Sequence, residues 1–354
     1  MTITVIDRRP SSSSGGSVYN SGDGSDGDVT LTTDTVISSN KYYNNLTISG
    51  CTLRLCDVPD TATSMAATTT GTVFVLRVAG TLTLINGHIN CNGISVGGPS
   101  TGVNNVGLAL GMNSGTAGGG RAGGGAGLPR SSNGTADTGG SGGTWDSSYI
   151  AFGGAGGNGG AGGSNGFFSL GGAGGVGGSI TNLRGPRFYT ENFLWREDSI
   201  ASGAVLPIRG GCGGGGGGGA GGSSGNFGGL SGNGGAGGNF CVVYANAIVA
   251  DSTSKITASG GNGGSGTVGL IASNLGGGAG GGGGGGGCVY LVYNAITPTP
   301  GFLLEATYGT GGLGGVHLGT GVDGASGTDG APGYIIMLNG STGVMSTYTG
   351  SHTF

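Results

Sequence analysis

Several features that are common in other protein classes are scarce in this 354-residue chain. Charged residues make up only 8% of it and the formal net charge is −4, so the composition gives no support for binding nucleic acid or an anionic membrane. No stretch approaches the roughly 18 apolar residues of a transmembrane helix. The first ten residues also lack the charged-then-apolar order of a secretory signal. The sequence therefore predicts neither a nucleic-acid partner nor membrane insertion.

Proline, cysteine and histidine are scarce as well. With only 9 prolines the chain is not collagen, which needs about 15–20% proline beside one glycine per triplet. The 6 cysteines are scattered and none forms a CxxC pair, so we expect buried thiols rather than a disulfide framework. The three histidines, His88, His317 and His352, have no cysteine or carboxylate at ligand spacing. The sequence predicts no cofactor.

Glycine is abundant, with 96 residues. Between Gly153 and Ser164, two glycines and one small residue repeat with a period of three, and Gly276–Gly287 is interrupted only by Ala279. A period of three is that of the extended left-handed polyproline-II helix, which has no internal hydrogen bonds. Its backbone groups must find partners in neighbouring segments. We therefore expect a stack of polyglycine-II helices; a flexible Gly/Ser linker is the alternative, which the strict period and the strand-like interruptions disfavour.

Short alternating strands separate these tracts. In residues 29–98, pairs such as Leu46 and Ile48 place apolar side chains on one face. Farther along, Phe240–Ile248 aligns with Cys288–Ile296, and Tyr334 begins a shortened copy. Many short, evenly spaced strands favour a parallel β-helix or a related solenoid. The predicted fold is all-β, a β-helix or solenoid-like scaffold with an embedded stack of polyglycine-II helices.

Three regions are predicted along the chain. Residues 1–28 form an attachment strand and linker, residues 29–98 a β-solenoid-like region, and residues 99–354 a glycine-rich region interleaved with strand rungs. Asp23, Asp26 and Asp28 lie close together near the first boundary. Carboxylates at such spacing are a weak calcium-site candidate, but they match no known calcium loop, and a solvated turn is the favoured interpretation.

The segment Tyr42–Ile48, the strand near residues 73–78, Gly80–Leu84 and the long glycine tracts after them resemble glycine-rich tail-fibre and adhesin proteins of tailed bacteriophages. The resemblance covers most of the chain after residue 29 and rests on the overall pattern of composition and short strands rather than on one motif. It implies a virion protein, assembled in the host cytoplasm and exposed outside the cell, whose loops contact a bacterial polysaccharide or outer-membrane protein. The first residues would attach it to other virion proteins. Monomer and homotrimer both stay open.

Two other functional classes compete with this one. The first is a purely structural virion component, such as a capsid or tail decoration protein, and the second is a cell-surface or ice-binding glycine-rich protein. Enzymatic activity is not predicted for this chain. Glycoside hydrolysis needs paired carboxylates, for which the only candidates are Glu191, Glu197, Asp198 and Glu305.

Aromatic residues concentrate in three interruptions of the glycine tracts, the smallest of which is the pair Phe167 and Phe168. Residues 184–198 hold four aromatics and three arginines, and residues 145–149 hold Trp145 and Tyr149. Aromatic and arginine side chains dominate binding hot spots. The sequence-based receptor contacts are Trp145, Tyr149, Arg187, Phe188, Tyr189, Phe193, Trp195 and Arg196. The competing interpretation makes these residues a small core or an oligomer contact.

Overall fold

The structure is a computed structural model. It describes residues 2–4, 21–37, 39–55, 75–93, 134–135, 138–142, 150–151, 153–164, 169–179, 208–221, 228–268 and 275–354. These residues contain nineteen β-strands and no helix. The predicted all-β class is thus confirmed for the part of the chain that the structure describes.

A nine-stranded sheet runs through the molecule. Its strands are β1 (Thr2–Thr4), β2 (Val29–Leu31), β4 (Lys41–Tyr43), β5 (Leu46–Ser49), β7 (Val75–Ile85), β13 (Phe240–Ala250), β15 (Cys288–Pro298), β17 (Tyr334–Asn339) and β18 (Val344–Thr349). Their order is β1-β18-β17-β15-β13-β7-β5-β2, with β4 also paired to β7. The strands from β2 to β17 are parallel to their neighbours, whereas β18 and β1 are antiparallel.

A six-stranded sheet accompanies it. Its strands are β3 (Thr35–Val36), β6 (Thr52–Arg54), β8 (His88–Asn90), β14 (Lys255–Thr257), β16 (Leu303–Glu305) and β19 (Ser351–Thr353), in the order β19-β16-β14-β8-β6-β3. Two small parallel sheets pair β9 (Gly134–Thr135) with β11 (Ser169–Leu170), and β10 (Ile150–Ala151) with β12 (Ile208–Arg209). None of these sheets closes on itself.

The chain alternates between the two large sheets. A strand of the nine-stranded sheet is followed by a short corner and then by a strand of the six-stranded sheet, as in β13–β14 and β15–β16. Phe240 lies opposite Cys288 and Ile248 opposite Ile296. The repeat predicted from the sequence, 48 residues long, is therefore confirmed as two neighbouring strands in register.

Equivalent apolar positions stack in columns to form the core. Leu53, Ile89, Ile256 and Leu304 are in register across the six-stranded sheet and fully buried. Their side chains share one hydrophobic cluster with inward residues of the nine-stranded sheet, such as Leu82 and Ile248. Cys51, Cys91, Cys212, Cys241 and Cys288 are buried thiols that form no disulfide bond, which confirms the prediction for the cysteines that the structure describes.

Nine glycine-rich segments, which we call g1 to g9, lie between the strands. They are g1 (138–142), g2 (153–164), g3 (171–179), g4 (210–221), g5 (228–239), g6 (258–268), g7 (275–287), g8 (306–316) and g9 (321–333). Their main chains are joined laterally by hydrogen bonds in which every third N–H group points to the same neighbour. None of their glycines has φ between +20° and +160°.

Segment g7 lies at the centre of this arrangement. Its N–H groups donate in rotation to g4, g9 and g6, and its carbonyl groups accept from g2, g5 and g8. These six neighbours form a closed ring around g7, in the order g2-g4-g5-g6-g8-g9, because each consecutive pair is itself hydrogen bonded. Segments g3 and g1 extend the array beyond g2 and g4.

The long uninterrupted glycine runs occupy the interior of the array. Every residue of g4 and g7 is buried, and a Cβ atom added to Gly283 would overlap the carbonyl oxygen of Gly309. Outer segments keep one side chain in every three, as in the half-buried or exposed row Ala155, Asn158, Ala161 and Ser164 of g2. Segments surrounded by more neighbours therefore consist almost entirely of glycine, whereas outer segments with fewer neighbours carry a side chain at every third position.

One alanine interrupts the central segment, and a buried serine compensates for it. Every third N–H group of g7 donates to g4, as those of Gly276 and Gly282 donate to Gly221 and Gly215. By this pattern the N–H group of Ala279 would donate to the carbonyl oxygen of Gly218. It donates instead to Oγ of Ser231 at 3.1 Å, and Ser231 donates to the carbonyl oxygen of Gly218 at 2.6 Å. Since both Ser231 and Ala279 are buried, the hydroxyl group keeps both backbone groups hydrogen bonded.

Candidate functional site at the far end of the glycine segments

The glycine segments have two distinguishable ends. At the sheet end they join strands directly, as g5 does at Phe240 and g7 does at Cys288. At the far end the chain passes from one segment to the next. The hydrogen bonds from Gly221 to Gly163, from Gly163 to Gly277 and from Gly229 to Gly276 place the far ends of g2, g4, g5 and g7 side by side.

The receptor contacts predicted from the sequence lie outside the described residues. These are Trp145, Tyr149, Arg187, Phe188, Tyr189, Phe193, Trp195 and Arg196. The described residues that flank them are at the sheet end. Gly178 donates a hydrogen bond to Gly213, which lies near the start of g4 just after β12, and Gly154 donates one to Gly286, which lies just before β15. In addition, β10 and β12, which follow the two aromatic stretches, pair with each other. The described residues on either side of both stretches therefore lie at the sheet end.

Four connections belong to the far end. They join g2 to g3 (165–170), g4 to g5 (222–227), g6 to g7 (269–274) and g8 to g9 (317–320). The structure describes the last of these completely. Leu318 exchanges two backbone hydrogen bonds with Leu275, of 3.0 and 3.1 Å, and Gly319 turns the chain with φ of +67°.

A histidine and a carboxylate brace this turn. One carboxylate oxygen of Asp323 accepts the backbone N–H of His317 at 2.7 Å and lies 2.6 Å from Nδ1 of the same residue. These hydrogen bonds from the backbone and then the side chain of His317 lower the pKa of Asp323. The turn is therefore fixed by polar contacts, although both side chains are exposed.

Exposed aliphatic side chains flank the same turn. Leu313 is 70% exposed, Val316 61% and Val322 52%, and Val268 of the neighbouring segment g6 is 37% exposed. Leu170, next to the far end of g3, is 64% exposed. Single exposed apolar residues are ordinary, but a group of them on one surface is typical of a binding surface. Together with His317 and Asp323 they form the candidate site.

Away from this end, short polar side chains satisfy outward backbone groups of the array. Asn262 Oδ1 accepts the N–H of Thr310 at 2.9 Å, Asp329 Oδ1 accepts that of Gly311 at 2.9 Å, and Asn158 Oδ1 accepts that of Gly177 at 2.7 Å. Unpaired backbone groups at an edge invite pairing with another chain. These side chains therefore leave the sides of the array less open to lateral pairing.

Asp23, Asp26 and Asp28 each accept hydrogen bonds from different groups. Asp23 accepts from the N–H of Ser25, Asp26 from that of Tyr42, and Asp28 from Asn44 and Asn45. Hydrogen bonds from Asn44 and then Asn45 lower the pKa of Asp28. Within the described ranges no group of three or more His, Cys, Asp or Glu residues could hold a metal ion.

Among the residues that the structure covers, no helix is long and apolar enough to span a membrane. Comparisons of the chain with models of protein families, with curated proteins and with solved structures found no match.

The residues of the candidate site were missed at the level of sequence because none is Phe, Tyr, Trp or Arg, the residue types from which the receptor contacts were chosen. The sequence nevertheless carried a signal, namely which residues fall at every third position of the glycine segment. Leu313 and Val316 continue the three-residue series that begins at Thr307 and Thr310, and Thr310 is exposed. In a segment with a three-residue period all four side chains point to one edge, so counting in threes identifies both aliphatic residues as outward.

Proposed function

We propose that the chain is a virion protein of a tailed bacteriophage, a component of a tail fibre, spike or tip that takes part in recognising the host. In this proposal the stacked strands form a β-solenoid-like scaffold, and g1 to g9 are polyglycine-II helices. The observation that carries the proposal is the ring of six segments bonded to g7 through main-chain groups. Lateral bonding in a three-residue rotation is what a helix with three residues per turn requires.

Such an array suits a rigid platform that presents variable loops. At about 3.1 Å per residue, the 11 steps from Gly276 to Gly287 would separate the two ends by roughly 34 Å. In the described connection, residues 317–320, Leu318 is joined to g7 through backbone groups only, so its side chain can change without loss of those hydrogen bonds. Recognition residues on loops held by a rigid scaffold are a common arrangement.

Binding to intact candidate host cells tests this proposal. We would compare the purified protein with a variant in which residues 317–320 are replaced by Gly-Ser-Gly-Ser and Leu313, Val316 and Val322 by serine. The matched control replaces another four-residue turn, residues 340–343 between β17 and β18, by Gly-Gly-Ser-Gly, which keeps glycine at position 343, where φ is +70°. A third variant replaces residues 184–198 by a short Gly/Ser loop.

We expect wild-type protein and the Gly340–Gly343 control to bind, and the far-end variant to lose at least tenfold in affinity, which corresponds to about 1.4 kcal/mol. All variants must show the same oligomeric state and unfolding midpoint. Loss of binding only in the 184–198 variant would move the receptor contact to the aromatic stretch. Absence of binding by every folded form to all tested hosts would contradict host recognition.

A purely structural role in the virion is the second candidate. It is favoured by the flanks of the two aromatic stretches, which lie at the sheet end beside β10 and β12. Aromatic stretches whose described flanks lie next to the scaffold suit an assembly contact. Incorporation of the 184–198 variant into virions separates the roles: a structural contact would be lost, whereas a receptor contact would leave incorporation unchanged.

A further inference from the structure

Strand β1 lies at one edge of the nine-stranded sheet, and β2, the next strand in sequence, lies at the opposite edge. Thr2 lies opposite Ser346, Ile3 opposite Met345 and Thr4 opposite Val344, all antiparallel. Strands that follow each other in sequence are usually adjacent in space, so the position of β1 is unusual for a strand that belongs only to its own chain.

The pairing is short and leaves part of the edge free. Strand β18 has six residues, and β1 covers only the half from Val344 to Ser346. Among the described strands none pairs with the outer edge of the other half, Thr347–Thr349. An edge with free N–H and C=O groups accepts an added strand.

The chain between β1 and the next described pairing has ample length. Ser25 forms a bridge with Tyr43 of β4, which pairs with β7. Seven strand spacings of about 4.8 Å separate Thr4 from Ser25, roughly 34 Å in all. The 21 residue steps between them can span about 69 Å when extended. The same strand can therefore reach β18 of its own chain or that of a copy beside it.

We propose that β1 is an exchangeable strand and that the β18 edge is the acceptor for β1 of a second copy of this chain. The contacts are identical in both cases, which makes strand exchange a low-cost route to association. For a tether of this length, an effective concentration in the millimolar range is typical. Pairing within one chain thus prevails in dilute solution, and exchange prevails where copies are held side by side. This inference does not depend on the proposed function.

Disulfide trapping between two variants tests it. Chains carrying only Thr2→Cys are mixed with chains carrying only Ser346→Cys, and a soluble thiol oxidant is added at protein concentrations of about 20 µM and about 1 mM, the second in the range of the tether's effective concentration. The off-register control pairs Thr2→Cys with Thr349→Cys. Wild-type protein controls for the native cysteines. The Thr2→Cys/Ser346→Cys double variant reports pairing within one chain.

A shortened tether sharpens the test. Deletion of residues 5–17 leaves 8 steps, about 26–29 Å, which cannot reach β18 of the same chain. We expect about tenfold more cross-linked dimer from the shortened pair than from the full-length pair at 20 µM, since the competing tether is gone. The full-length pair should reach a similar yield near 1 mM. The proposal would be overturned if the cross-linked dimer were no more abundant than in the off-register control, for both the full-length and the shortened chains and at both concentrations. It would also be overturned if the double variant formed no internal cross-link.

Discussion

The sheets and the glycine segments are held together by different parts of the chain. In the sheets, columns such as Leu53, Ile89, Ile256 and Leu304 bury side chains between two layers. In the glycine array, residues 276–287 of g7 bury backbone atoms and a single side chain, that of Ala279, and g7 is bound by main-chain hydrogen bonds to six neighbours. A sheet position therefore tolerates another apolar side chain of similar volume, whereas a glycine packed against a neighbouring backbone, such as Gly283, leaves no room for a side chain.

Fixing a glycine costs more backbone entropy than fixing any other residue. The array offsets this cost by pairing nearly every interior backbone group, each hydrogen bond contributing about 0.5–1.5 kcal/mol net. The sheets add the burial of apolar area at about 25 cal/mol per Å². Because g5 and g7 continue directly into β13 and β15, the strands fix the positions from which the glycine segments extend.

The largest effect is expected from a side chain placed at the centre of the array. Gly283→Val should lower the free energy of unfolding by more than about 4 kcal/mol, or prevent folding, because its side chain would overlap the backbone of g8. Ala161→Val is the matched control on the exposed row of g2 and should stay within about 0.5 kcal/mol. Urea unfolding measures both. Equal and small effects would contradict the packing of g7.

A smaller loss is expected from a cavity in the sheet core. Leu304→Ala removes a fully buried side chain and should lower the free energy of unfolding by about 2–5 kcal/mol. Val249→Ala, at a residue that is 44% exposed in β13, is the control and should have little effect. If Leu304→Ala equalled Gly283→Val in severity, the proposed difference between the two regions would not hold.

Acid should destabilise the six-stranded sheet through His88. Burial, together with the charges of Lys255 and Arg54, lowers the pKa of His88 to about 4. The unfolded chain, with a histidine pKa near 6.5, then binds more protons between pH 6.5 and pH 4, so stability falls as pH falls through this window. The loss has an upper limit of about 3 kcal/mol. His88→Asn should remove this part of the pH dependence in unfolding titrations at pH 7 and pH 4; an unchanged slope would contradict it.

The smallest expected effect concerns Ser231, whose hydroxyl group accepts the N–H of Ala279 in the central segment. Ser231→Gly should cost about 1–3 kcal/mol because the N–H of Ala279 and the carbonyl of Gly218 lose their shared partner. Adding Ala279→Gly should recover most of that loss, since the direct bond to g4 can then form as it does from Gly282 and Gly285. Thermal unfolding of the four proteins of this double-mutant cycle measures the coupling. Additive effects would rule out the compensation.

Much of the scaffold could be predicted from the sequence because its signals are local. Alternating pairs such as Leu46 and Ile48 mark strands, and the match between Phe240–Ile248 and Cys288–Ile296 gave their register. The triplet period also predicted lateral bonding between glycine segments. Which segments are neighbours could not be predicted, because that depends on pairings between residues as distant as Gly154 and Gly286.

The candidate site was less accessible to sequence reasoning. Aromatic content drew attention to residues 145–149 and 184–198, whose described flanks lie at the sheet end, and their role as receptor contacts stays a prediction. The aliphatic residues Leu313 and Val316 become informative only once the orientation of g8 and its neighbours is known. A three-residue period specifies which side chains point outward, but not which end of the segment carries the connections.

Amide hydrogen exchange across residues 275–287, compared with β13 and β15, tests the central claim most directly. Since each N–H group of g7 has a partner inside the array, the account predicts protection of Gly276–Gly287 equal to that of the two strands. Exchange of these glycine amides at the rate of an unstructured chain, while β13 and β15 remain protected, would show a flexible linker and contradict the account.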